Sequence, residues 1–159
     1  MAEYGIKQTF PDKLTAYSAT AQNGLGVLRF EGDKVYRYVK AYGTLTGDAL
    51  AARNFVTYVG NAAIGVNDFV VTNVSGTVTA PAGVAISAIP ESYYGWIQVG
   101  GPAACVGDGS VALGEAVVSN GDGTVDTMAA GEEHSVVGHA LIADVADSFY
   151  VDIQLRGLI

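Results

Sequence analysis

Along almost the whole chain the apolar residues avoid the three-and-four spacing of an amphipathic helix, and this constrains the fold more than any other feature. Short runs rich in Val, Ile, Tyr and Thr are cut every few residues by Gly, Asn, Asp or Pro. "GVLRF", "KVYRYVKA", "DFVVTNV", "GTVTAP", "GVAISAI", "YGWIQVG", "EAVVSN", "GTVDTM", "SVVGHALIA" and "FYVDIQLRG" are the strand candidates. That punctuation is the mark of an all-β sandwich or barrel. One stretch, "GDALAARN" (47–54), has room for two helical turns before it runs into β-prone "FVTYV".

The strands echo one another. "FVVTNVSGTVT" (69–79) aligns without gaps on "AVVSNGDGTVD" (116–126), and "ESYYGWIQVGG" (91–101) aligns on "DSFYVDIQLRG" (147–157). Two similar β units follow, about residues 66–101 and 114–157, each a hairpin, a strand, a loop and a closing strand. Such units cannot bury a face alone, so together they are expected to close a single compact barrel or sandwich. Residues 1–24 form an N-terminal arm and 25–159 the β domain.

Alternation along a strand assigns faces. Tyr93, Gly95, Ile97 and Val99 match Phe149, Val151, Ile153 and Leu155, which makes this the core side. Tyr94, Trp96 and Gln98 take the opposite side, where Asp152 stands in the later copy at the position of Trp96. Trp96 is therefore expected to face outward, toward a partner; the competing reading buries it under a loop or the arm.

At 159 residues the chain is about one domain. Charged residues are 15% of the total, against about 25% in an average soluble domain. So few charges favour a subunit that loses surface to neighbours, hence a homo-oligomer or assembly component. No apolar run approaches the roughly 20 residues of a membrane span, and the N-terminus lacks a signal-peptide pattern. A single Cys excludes an intrachain disulfide framework, which fits folding in a reducing cytoplasm. Of a net charge of −8, residues 1–53 carry seven Lys/Arg against five acids, and residues 54–159 carry Arg156 against eleven. The acidic body would repel nucleic acid.

Residues with chemical potential do not assemble into a recognisable reaction centre. Cys105 lies in an apolar setting without the cation that lowers a thiol pKa, so a small buried thiol is favoured. His134 and His139 with Glu132 and Glu133 lack metal-site spacing. "NGDGTVD" (120–126) places oxygens at alternate positions but lacks the flanking helices and twelfth-position Glu of a calcium loop; a hairpin turn explains it better. "CVGDGS" has neither the Lys nor the strand–loop–helix setting of a phosphate cradle. The expectation is a non-enzyme without cofactor or metal.

"RFEGDKVYRYVKAYG" (29–43) has a different character, interleaving basic and aromatic residues. Tyr36, Tyr38 and Lys40 share one strand face, with Arg37 and Val39 on the other. Tyr and Arg are enriched at protein interfaces. The candidate interface set is therefore Arg29, Tyr36, Arg37, Tyr38, Lys40, Tyr94 and Trp96.

Taken together, "GDKVYRYVKAYGTLTGDAL", "YYGWIQVGGPAACV…VALGEAVV" and "VVGHALIADVADSFYVDIQL" resemble small virion proteins of tailed bacteriophages, namely capsid decoration, cement or minor head proteins. The resemblance implies a β-rich protein, usually trimeric, made in the host cytoplasm and added to the capsid exterior. There it would clamp neighbouring subunits of the major capsid protein, with the arm and basic strand toward the shell. Deleting residues 1–24 is then expected to weaken head binding and leave the β-fold intact. Two rivals remain: a carbohydrate-binding module using Tyr94 and Trp96 as a platform, and a tail- or fibre-associated adaptor.

Overall fold

The computed structural model describes residues 10–60, 68–74, 78–144 and 150–155. The strands are β1 (Leu28–Glu31), β2 (Lys34–Ala41), β3 (Ala49–Leu50), β4 (Phe55–Val59), β5 (Val70–Thr72), β6 (Val78–Ala85), β7 (Ile89–Pro90), β8 (Tyr94–Val106), β9 (Ala116–Ser119), β10 (Val125–Thr127), β11 (Val136–His139) and β12 (Tyr150–Leu155). The described residues contain no α-helix, only short 3-10 turns, and the fold is all-β as expected. No helix among them is long and apolar enough to cross a membrane.

Five strands close on themselves. β2 pairs with β5, β5 with β4, β4 with β6, β6 with β8, and β8 returns to β2, its residues Tyr94–Gly100 opposite Lys40–Val35. The β2–β5 pairing is parallel and the others are antiparallel. β1 extends the sheet from β2, and β12 extends it from the far half of β8. The ring is a barrel filled by Val39, Ala41, Val56, Val71, Ile97 and Val99 among others, none of them reached by solvent. Each Val or Ile buried there stabilises by about 1.5–3 kcal/mol.

"FVTYV" explains why β4 is central. All five of its residues are buried, so both faces are covered and alternation disappears. Its polar member Thr57 donates its hydroxyl to the Thr72 carbonyl, which keeps a buried hydroxyl satisfied.

A second sheet, β10–β9–β11, packs on the outside of the barrel. Phe55 and Val84 from the barrel meet Ala103, Cys105, Val117, Val125 and Val137 there. Cys105 is buried in this apolar layer. Strands β3 and β7 form a separate two-residue ribbon.

β2 spans the whole of "KVYRYVKA", and "AVVSNGDGTVD" is the hairpin β9–β10, with Val125 opposite Ser119. The Asp122 carboxylate takes the Thr124 N–H and hydroxyl, closing that turn on itself. By contrast "FVVTNVSGTVT" is not a hairpin, because β4 lies between β5 and β6. The echoed closing strands do not occupy equivalent places either, since β12 pairs with residues 101–106 of β8 itself. "GDALAARN" is extended after one 3-10 turn at Thr46–Asp48, with Asp48 and Arg53 at positive φ. Phe149 and Gly157 lie outside the described residues.

Candidate functional site

Face assignment along β8 holds: Ile97 and Val99 point into the barrel and Trp96 points out. Outward, however, is not exposed. Trp96 is 0% accessible, and Tyr36 and Tyr38 are buried with it. The expected partner-facing Trp is therefore corrected to a buried one, because residues 10–23 lie across this face.

Asp12 holds the cover down. Its Oδ2 accepts from Trp96 Nε1 at 2.7 Å, its Oδ1 accepts from Asn23 Nδ2 at 2.9 Å, and its carbonyl accepts from Arg29 Nη1 at 2.9 Å. Phe10 meets the Trp96 ring edge-on at 5.1 Å between centroids. Ser18 exchanges both backbone hydrogen bonds with Tyr94, at 3.0 and 2.9 Å. The Gln22 N–H donates to the Tyr38 hydroxyl. Sequence reasoning missed Phe10, Asp12 and Gln22; their one visible signal is an aromatic and an acid, "FPD", in an otherwise turn-like arm.

Five further candidates gather around this centre or just behind it. Tyr38 stands edge-on to Trp96 and stacks on Tyr94 at an interplanar angle of 14°. The Arg29 guanidinium lies over both Phe10 and Trp96 and donates through Nε to Glu31 at 2.8 Å. Lys40 Nζ sits 5.5 Å from the Tyr94 ring centre. Arg37 alone turns to the barrel side, donating Nη1 to the Tyr58 hydroxyl at 2.7 Å under the Phe69 ring. Six of the seven sequence candidates thus form one aromatic–basic platform, with Arg37 behind it.

Two tyrosines of the platform titrate abnormally. Burial, then the nearby Glu31 and Asp33 charges, raises Tyr36 above 10.0, opposed by Arg29. Burial raises Tyr38 as well, aided by Asp12 and Tyr94 and opposed by the hydrogen bond from Gln22. Neutral phenol is thus favoured in the fold. Between the unfolded pKa near 10 and the higher folded values, the unfolded chain binds fewer protons, so stability falls as pH rises. Urea midpoints should stay level from pH 8 to 9 in this respect and drop beyond pH 10. Tyr36→Phe should make that drop shallower, and an unchanged slope would contradict the assignment.

His139 is half-buried on β11, and Glu133 is exposed in the preceding turn. The side chain of His134 lies outside the described residues. Among the described residues no three His, Cys, Asp or Glu side chains gather as a metal site.

A closed five-stranded barrel with a small sheet on one flank defines the class of fold. No protein-family model matches the chain, and no curated protein matches it. Among solved structures it is similar to the N base of the head fiber gp8.5 of bacteriophage phi29, with a TM-score of 0.50 at 14% identity. The match covers 77% of this chain and 94% of that one. It is a likeness of fold.

Proposed function

We propose that this chain is a structural protein of a tailed-phage virion, a rigid β module fixed to the outside of the head. The observation that carries the reading is the fold shared with the base of a head fiber over 94% of that chain. The partner of this chain would be the major capsid protein, and its work would be mechanical: many identical weak contacts around a shell gain strength by multivalency. Cementing of neighbouring capsid subunits is the finer form of this proposal; carrying an appendage as its base is the other form, and the likeness to a head fiber base favours it.

The glycan-platform reading loses its footing, since it needs Trp96 exposed and Trp96 is covered. The arm is also a poor deletion target, because removing residues 10–23 strips the cover from Trp96. Head binding is better tested with the full chain. Mixed with heads stripped of accessory proteins, it should co-sediment to a saturable ratio. Protein that remains in the supernatant, or that sediments with isolated tails instead, would overturn the assignment.

A further inference from the structure

We propose that the platform on β2 and β8 is a peptide-binding groove, and that copies of this chain associate by exchanging residues 10–23 through it. The barrel core contains no residue before Leu28 among those described, so closing the ring does not need the segment. What the segment covers is a separate cluster around Tyr36, Tyr38 and Trp96. It is held there by side chains and by one isolated bridge, Ser18 with Tyr94, rather than by a ladder. Opening it is therefore a local event that leaves the barrel closed.

The seated segment defines what the groove accepts. An aromatic fits against Trp96, an acid two residues on takes the indole N–H, and Leu14 packs beside the tyrosines. An extended backbone then meets Tyr94. Every copy carries one segment of this chemistry, so a second copy is the occupant already matched to the groove. The connection back to β1 runs through exposed Gly24, whose surroundings are open. Swinging about that point remakes each contact in a neighbour, which makes exchange a low-cost route to an oligomer. Exposure of Trp, Tyr and Arg in the open form explains why the same residues read as an interface in the sequence. This inference deepens the expectation of self-association and does not depend on head attachment; a chain that binds no heads would leave it standing.

Disulfide trapping tests it. Ser18 and Tyr94 exchange both backbone hydrogen bonds, a geometry with Cα atoms about 5.5 Å apart, inside the range a disulfide spans. In a Cys105→Ala background, Ser18→Cys chains and Tyr94→Cys chains are refolded together and oxidised. A disulfide-linked pair joining the two kinds of chain is the expected result. The idea is overturned if the double variant closes only within single chains while mixed single variants give no pair. Light scattering on the unmodified chain is a second reading that needs no cysteine. A monomer at every concentration overturns exchange; a mass that rises with concentration supports it.

Discussion

Replacing Trp96 with alanine should lower unfolding stability by about 3–5 kcal/mol, the usual loss for a large aromatic taken from a packed site. The reasons are specific. Trp96 is fully buried, packed against Phe10 and Tyr38, and its indole N–H is taken by Asp12. Truncation removes the surface on which residues 10–23 lie, so their contacts weaken together. Asp12→Ala should cost less, about 1–3 kcal/mol, because it leaves the ring packed but orphans a buried donor. Asp12→Asn retains an amide oxygen for the indole and should fall between that variant and the native chain. A surface Trp awaiting a partner would behave differently, since exposed substitutions usually stay within about 0.5 kcal/mol. Urea unfolding followed by far-ultraviolet circular dichroism, which does not need the lost fluorophore, separates the two cases. A Trp96→Ala midpoint equal to that of the native chain would return Trp96 to the surface.

"KVYRYVKA" was legible as a strand because its residue types and alternation agree, and β2 follows it from Lys34 to Ala41. The side on which Trp96 lies was also legible from period-two alternation. Its burial was not, because the cover is an irregular segment whose anchor, Asp12, lies 84 residues upstream, held by hydrogen bonds that leave no periodic trace. The echo between 69–79 and 116–126 misled for a related reason. Similar local sequence sets local extension, but neighbours set pairing, and the doubly buried β4 takes the place a hairpin would need. Ring closure between β2 and β8 joins residues about 60 positions apart, beyond any local signal.

Gly101→Ala is expected to damage the barrel itself, and it can be argued from two separable causes. At Gly101 strand β8 stops pairing with β2, whose last partner is Gly100, and begins pairing with β12. The change of partner is made with φ at +82°, where an L side chain costs roughly 1–2 kcal/mol. A Cβ there would also fall well inside contact with the Asp33 carbonyl oxygen and 3.2 Å from Lys34 Cα. Both are backbone atoms of the β1–β2 turn, so neither can move aside as a side chain would. Forced overpacking of that kind typically adds about 1–3 kcal/mol. Two other glycines separate the causes. Gly114 has φ of +83° but open space around it, so Gly114→Ala should carry the dihedral cost alone. Gly24 has open space and no positive φ, so Gly24→Ala should be neutral or stabilise by up to about 1 kcal/mol. Denaturant midpoints should therefore fall in the order Gly24→Ala, Gly114→Ala, Gly101→Ala. If Gly101→Ala proved no worse than Gly114→Ala, the close approach of β8 to the β1–β2 turn would be refuted, and with it the tight closure of the ring at that corner.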